Sequence, residues 1–490
     1  MQRQRLLHRE KGKPQSCVLV HNETFQYHII RSITYYFFSM TNVVKIRKGL
    51  DIHLKGKAST DKRVEVISSG EFALVPSSFV GLKPKVVVKE GDHVLAGDSL
   101  FVDKLSQEVR CASPVSGTIE QVLRGERRKV LYVKVKVDQE QSFHDYGKHD
   151  VALLDGNAVK SLLLESGLFA YINQLPYAVV ASPASSPKAI FVSALRDMPL
   201  AADFEVELKG NEAAFQAGLT ALSKMAPVSL GIGAAQHSAA LMQAKDVEIT
   251  VFDGPCPAGN VGVQVNHINP VNRGEVVWTV DPSAVIFIGR LMLTGKVDLH
   301  RVIAIAGSQV KEPAYANVLV GTKMADILKD RLATDQHVRI LNGNPLTGEK
   351  GGLDDYLGAH TSEVTVIPEG DDRDELLGWI APRTNDFSVS HSYFSWLQGK
   401  RHEYDLDARV KGGERHMIMS GEYDKVLPMD IYGEYLIKAL IAGDIDRQEQ
   451  LGIYEVSPED FALAEFVDSS KLPLQKIVRQ GLDILRKENA

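Results

Sequence analysis

The stretch from Val86 to Val137 constrains the chain most. Val86-Val87-Val88 is a β-branched run, and Gly91-Asp92 and Gly97-Asp98 punctuate the residues after it. Glycine takes positive φ without steric cost, so each pair marks a tight turn. Ser113-Pro114-Val115-Ser116-Gly117 begins a second, similar half. There Leu131, Val133, Val135 and Val137 alternate with Tyr132, Lys134 and Lys136, the period of a half-buried strand. Short strands joined by glycine turns, in two similar halves, predict a small flattened β-barrel.

The text of this stretch, EGDHVLAGDSLFVDK followed by SPVSGTI, resembles the biotinyl/lipoyl-type fold, also called the barrel-sandwich hybrid. In carrier members of that family a hairpin-tip lysine holds a swinging prosthetic group. Lys104, after Asp103, lies near that position. The return to Pro114 is longer than the carrier motif allows, and Leu105 replaces the usual small residue. Lys104 therefore reads as an unmodified surface lysine, with a lipoyl- or biotinyl-carrying lysine as the rival.

A chain of 490 residues exceeds one hydrophobic core, and about three domains are expected. The net charge of -6 argues against a nucleic-acid partner, which would favour a basic chain. Cys17, Cys111 and Cys256 are far apart, so spacing supports neither an iron–sulfur cluster nor a structural zinc site. No apolar run approaches the roughly 20 residues of a membrane helix. Residues 1–39 combine Arg3, Arg5, Arg9, Lys11 and Lys13 with a short apolar run, Tyr35-Tyr36-Phe37-Phe38. They lack the apolar core and cleavage site of a signal peptide. The expected start is Met40, with 1–39 a disordered or misannotated leader.

Before the barrel repeat, Val43–Leu54 reads as strand, turn and strand, and Val64–Val75 as a further strand. Between Pro76 and Pro84 lies an apolar tip, Phe79-Val80-Gly81-Leu82. It either packs under the barrel or forms an exposed finger for a partner or lipophilic ligand. Beyond the barrel, Asp150–Ile172 looks helical. AIFVSA at Ala189–Ala194, a helix over Asn211–Met225, PVSLGI at Pro227–Ile232, a helix over Ser238–Ala244 and a strand over Val247–Phe252 then alternate. That alternation predicts a parallel, Rossmann-like α/β layer. Gly231-x-Gly233 lacks the third glycine of a dinucleotide loop, because Gln236 stands there. Phe252–Gly262 (FDGPCPAGNVG) is dense in turn residues and reads as a rigid connector, and His237 and His267 are isolated.

A helix over Asp281–Gly295 precedes strand, turn and strand from Arg301 to Tyr315, then a strand at Val318–Val320 and a helix over Met324–Leu332. This block resembles a soluble-ligand-binding β-grasp (SLBB) module. His337–Leu341 and Glu363–Ile367 add strands, and the acidic loop Pro368–Glu375 reads as solvated. Leu376–Pro382 and Phe387–Leu397 are aromatic-rich, facing a membrane partner or a core. The C-terminal part is helical. Ile431–Ala442 stops at Gly443, Ser457-Pro458-Glu459-Asp460 opens another helix, and Leu474, Ile477, Val478, Leu482 and Leu485 share one face of the last.

The fold class is thus multidomain α+β. The expected parts are a barrel-sandwich hybrid over 40–147, a Rossmann-like α/β domain over 148–300, an SLBB-like β-grasp domain over 301–375 and a mainly helical domain over 376–490. In order, KIRKGLDI, SPVSG, RGERRKV, PKAIFVSA, FDGPCPAGNVGV, VWTV, RVIAIAGSQVKEP, GWIAP, YDKVLPMDI and IAGDID run from Lys45 towards the C-terminus. Together they resemble the NqrA family, whose members are subunits of the sodium-translocating NADH:quinone oxidoreductase, Nqr.

That resemblance implies a peripheral subunit on the cytoplasmic face of a bacterial inner membrane. It implies five partner subunits, integral-membrane ones among them, which carry the flavins and iron–sulfur centres. The complex oxidises NADH, reduces ubiquinone and exports Na⁺. This chain would carry no tightly bound cofactor and no catalytic or metal-ligating set, and would serve the quinone step. Quinone needs an apolar slot with a few hydrogen-bond donors. The candidate lining is Phe79, Val80, Gly81 and Leu82, with Phe143 and Tyr146 beyond the barrel. The rival readings are a carrier using Lys104 and the related Rnf-type electron-transport subunit, which normally bears cysteine clusters. Cys256 stands where the family's loop often has histidine, and Ala464–Ser470 has no cysteine where some members do.

Overall fold

In the computed structural model the described residues are 42–334, 337–371, 382–389, 393–399 and 402–489. The leader expected over 1–39 and most of Leu376–Pro382 lie outside them.

Two sheets form the barrel. One is four-stranded and orders Glu71–Leu74, Val130–Val137, Gly117–Arg124 and His93–Val94. The other orders Pro84–Val86, Ser99–Asp103 and Arg110–Ala112. The two Gly-Asp turns are built alike. Gly91 and Gly97 have φ of 90° and 101°. Asp92 accepts from the Lys89 N–H at 2.7 Å and Asp98 from the Leu95 N–H at 2.8 Å. The predicted alternation holds at Val133 and Val135 but fails at Leu131, which is exposed while Val130 is buried. The register against Gly117–Arg124 shifts at Leu123/Arg124, and that bulge turns Leu131 outward.

Val64–Val75 is not one strand. Glu65–Val66 pairs with Ala314–Leu319 in another sheet, and only Glu71–Leu74 joins the barrel. Nor does Val43–Leu54 hold two strands. Asn42–Lys45 is extended, and Leu54 makes an isolated bridge with Tyr404.

The central sheet orders Glu248–Asp253, Val228–Gly233, Ile190–Ser193, Val277–Val280, Ile172–Leu175 and Val179–Val180. The first four of these run parallel, and the last two pair antiparallel. Val228–Gly233 is buried along its whole length, as a parallel strand covered on both faces must be. From Ile190–Ser193 the chain steps outward to one side for two strands. It then returns to the other side with Val277–Val280, so the order reverses between Ile190–Ser193 and Val277–Val280. Asp150–Ile172 is helical only at Val151–Leu153, Gly156–Glu165 and Leu168–Tyr171, and Gly167 at φ 76° breaks it.

A six-stranded sheet orders Glu349–Gly351, Val338–Asn342, Glu363–Pro368, His300–Ala306, Ala314–Leu319 and Glu65–Val66. The expected strand Val318–Val320 is the end of Ala314–Leu319, and the helix expected over Met324–Leu332 is only Met324–Ile327.

C-terminal helices Gly433–Ala442, Ile445–Gln450, Ala462–Val467 and Leu474–Glu488 share a core with Ile46, Phe252, Cys256 and Val263. Gly443 ends the first in the left-handed conformation. Ser457 and Asp460 form a capping box.

Candidate functional site

The reversal of strand order sets the site. In open α/β sheets ligands bind beyond the carboxyl ends of parallel strands at such a point. A cavity of about 620 Å³ lies there, lined by Ser193 and Leu195 after one strand and by Thr279, Val280 and Asp281 at the end of the other. Its volume falls within the range of small-molecule pockets. Three other parts of the chain close it: the barrel tip at Val80, the six-stranded sheet at Asn342 and His360, and the C-terminal segment at Glu459 and Arg479.

The charges behind the cavity neutralise one another. Arg196 lies 3.3 Å from Asp281 and 3.4 Å from the buried Glu207, and donates to Ser283 Oγ at 2.9 Å. Arg301, 1% exposed, donates to Ser283 Oγ at 3.0 Å and the Ala359 carbonyl at 3.1 Å. Burial alone would raise the Asp281 carboxyl, but Arg196 and Arg301 outweigh it and hold the group below its ordinary value. His360 is pushed down to about 4 by burial, so its imidazole is neutral at neutral pH, and its buried Nε2 has no hydrogen-bond partner among the described residues.

The helix Val261–Ile268 starts at this wall behind Asn260. The anion that a helix N-terminus attracts is already present in the chain. Asp460 fills the space beside Gly262, where a Cβ would meet its Oδ1 at 2.7 Å. It accepts from the Ser457 N–H and Oγ, each at 2.8 Å, and from Asn260 Nδ2 at 3.4 Å. Burial pushes Asp460 upward; its neighbour Glu459, exposed at the cavity, is raised by desolvation from the surrounding walls and further by the charges of Asp460 and Asp281. Asp197 is pushed up to about 6 by burial, against the opposing effect of the Gly259 N–H it accepts at 2.8 Å.

The Gly231-x-Gly233 pair is filled from within. Gln264 packs against Gly231 and donates to Ser193 Oγ at 2.8 Å and the Ala258 carbonyl at 3.2 Å. Gln236 accepts from the Gly233 N–H at 2.8 Å and donates to the Ala194 carbonyl at 2.9 Å. Side-chain amides thus take the backbone groups and close-approach space that a dinucleotide loop keeps for phosphates. What remains open joins apolar wall (Val80, Leu195, Met198, Val261) to hydroxyl and amide groups, with Glu459 exposed on the C-terminal side. That lining suits an uncharged ligand with carbonyl or hydroxyl oxygens.

The residues singled out from the sequence part company here. Phe79 is 1% exposed and packs edge-on against Phe101, Tyr171 and His360 at centroid distances of 6.1, 5.5 and 5.8 Å. It therefore lies in the core behind the cavity wall and forms no exposed finger. Val80, 43% exposed, lines the cavity, and its carbonyl accepts from the Val180 N–H at 2.9 Å. Gly81, at φ 83°, accepts from Arg486 at 3.3 Å, and Leu82 packs on the main core.

Phe143 and Tyr146 lie elsewhere. Lys296 sits 5.1 Å above the Phe143 ring. Tyr146 donates to the Gly97 and Glu165 carbonyls at 3.0 and 3.3 Å, in a separate hollow with Asp98, Arg110 and His144. Lys104 is exposed just after strand Ser99–Asp103, its N–H bonded to the Lys83 carbonyl at 2.7 Å. Cys256 is buried against Met198, and burial pushes its thiol far up, so it is not a reactive thiolate. Among the described residues no group of three or more His, Cys, Asp or Glu could hold a metal ion, and no helix is long and apolar enough to cross a membrane. His360, Asn260 and Glu459 were missed in the sequence. The usable signal was the turn-dense loop before Asn260, which read as a connector.

Fold and cavity together define a multidomain α+β protein with a crevice at a sheet switch point. The chain matches three family profiles: NqrA N-terminal barrel-sandwich hybrid domain over 44–138, NqrA second alpha/beta domain over 154–297, and NQRA C-terminal domain, of SLBB type, over 302–351. It is 35% identical over 455 residues to the NqrA subunit of the Na(+)-translocating NADH-quinone reductase of Haemophilus influenzae, covering 91% of this chain and 100% of that one. The Neisseria meningitidis counterpart gives the same identity and coverage. The Serratia proteamaculans counterpart is 35% identical over 458 residues, again covering 91% of this chain and 100% of the relative. The chain belongs to the NqrA family, the subunits of that name in the Na(+)-translocating NADH-quinone reductase.

Proposed function

We propose that the chain is the peripheral NqrA subunit of a complex that oxidises NADH, reduces ubiquinone to ubiquinol and exports Na⁺. The observation that carries this is 35% identity along the full length of the named relatives. In this reading it docks on five further subunits, including integral-membrane ones that carry the flavins and iron–sulfur centres, at the cytoplasmic face of a bacterial inner membrane. It holds no tightly bound cofactor of its own. The finer architecture belongs to the same reading: a biotinyl-like barrel over 40–147, a Rossmann-like layer over 148–300, a β-grasp module over 301–375 and a helical part after 376.

The quinone head occupies the switch-point cavity. Of the tip residues, Val80 reaches it directly and Phe79 supports it through His360. Gly81 and Leu82 set the course of the tip, while Phe143 and Tyr146 would serve only a second contact near the barrel. Supporting this is a cavity whose arginines, Arg196 and Arg479, are paired with carboxylates and whose wall includes Val80, Leu195, Met198 and Val261. The test is purification of the tagged chain from detergent-solubilised membranes, with mass spectrometry of its partners. Recovery of integral-membrane flavin and iron–sulfur subunits is expected. Recovery of soluble acyltransferases with a modified Lys104 would overturn the reading in favour of a carrier.

A further inference from the structure

We propose that Glu459, with Asp460 behind it, is the proton donor to the quinone head in the switch-point cavity. The inference rests on the quinone reading above. Two independent observations converge on it. Glu459 lines the cavity and its side chain stands open to it, while Asp460 is 2% exposed and fixed by Ser457 and Asn260. On another wall of the same cavity stands His360, whose buried Nε2 has no hydrogen-bond partner among the described residues. A neutral imidazole on one side and a protonatable carboxyl on the other match a head group that carries an oxygen at each end.

The charged groups facing Glu459 fix its protonation. Asp460 adjoins it in its own turn, and Asp281 acts on it from the start of the helix Pro282–Thr294. Asp197 and Arg196 lie after strand Ile190–Ser193, His360 and Glu363 on the six-stranded-sheet wall, and Arg479 on the terminal helix. Arg196 is taken by Asp281 and Glu207, and Arg479 by Asp483 at 2.8 Å. Among the described residues Glu459 has no ion-pair partner, so the acids next to it favour its protonated form.

The chemistry balances simply. Quinone takes up two electrons, which originate in NADH, and two protons. One proton leaves the Glu459 carboxyl as its O–H bond breaks and a quinol O–H bond forms, and the other reaches the far oxygen from solvent through the cavity mouth. The carboxylate regains its proton from solvent through the cavity mouth before the next turnover. A positioned acid of this kind contributes about 100-fold or more.

The test uses the assembled complex with a short-chain ubiquinone as probe. E459Q is expected to lower quinone reduction about 100-fold, to leave quinone affinity within about twofold, and to abolish the fall in rate on the alkaline side. E459D should restore most of the rate and the alkaline fall. An unchanged rate and pH profile in E459Q, with quinone still bound in the cavity, would overturn the proton role and leave the quinone reading standing. Absence of quinone from the wild-type cavity would overturn both. Should E459Q fail to assemble, infrared difference spectra of the wild-type complex on quinone reduction decide it. A protonated-carboxyl band that changes is expected, and no carboxyl change overturns the inference.

Discussion

A methyl group added at Gly231 tests how the cavity floor is built. The substitution Gly231→Ala would place a Cβ 2.5 Å from Gln264 Cδ and 2.9 Å from its Nε2, and closer still to Oε1. Gln264 is 1% exposed and cannot yield without leaving Ser193 Oγ and the Ala258 carbonyl. Overpacking of this kind costs about 1–3 kcal/mol. The two lost hydrogen bonds add about 1 kcal/mol each. Lower entropy of the unfolded chain offsets about 0.5–1 kcal/mol. The net expectation is a loss of about 2–4 kcal/mol. Urea unfolding followed by the fluorescence of Trp278, buried in the same sheet, reads it. In a Gln264→Ala background the overlap is gone, so Gly231→Ala should then be nearly neutral, a coupling of about 2 kcal/mol or more. Costs that add to within about 0.5 kcal/mol would refute the reasoning.

The same contacts set three further outcomes. Asp197 has its folded pKa raised to about 6 from 3.8, so its contribution is fully present below the ordinary carboxylate range and lost as pH rises through about 6. Asp197→Asn should therefore match wild type near pH 4 and exceed it by roughly 2 kcal/mol at pH 8, read by urea unfolding at both values; equal stability at pH 8 would contradict the burial argument. Removing Arg301 with Arg301→Ala leaves the Ala359 carbonyl without its donor and Asp281 with one cation fewer, and should cost about 3–5 kcal/mol, whereas a loss under about 1 kcal/mol would show that the buried network is not built as described. Cys111 and Cys256, both buried with thiols pushed upward, should resist alkylation in the folded chain at pH 8 and react after urea unfolding; prompt labelling of either would contradict their placement.

Elements with a local code were legible. PVSLGI forms a buried parallel strand, Gly443 ends its helix, and Leu474, Val478, Leu482 and Leu485 form one buried face. The glycine turns at Gly91 and Gly97 stand where the text puts them. Readings that depended on partners were not legible. Val261–Ile268 carries valine at every second position up to Val265, a strand-like text, yet it folds as a helix, with Gly262 making room for Asp460 from almost 200 positions away. Glu65–Val66 leaves the barrel because its pairing strand lies in the six-stranded sheet. Glu459 and Asp460 read as ordinary acids at a helix start, and only tertiary packing sets them against Asn260 and the cavity. The tip Phe79–Leu82 was visible as apolar text, but which of its side chains faces inward depends on Tyr171 and His360.

The most direct measurement is photolabelling of the assembled complex with an azido-quinone, followed by peptide mapping of this chain. The account predicts labels on peptides containing Val80, Met198, Val261 or His360, and their loss when excess ubiquinone competes. Competed labels confined to partner subunits, or to surfaces away from the switch-point cavity, would contradict it.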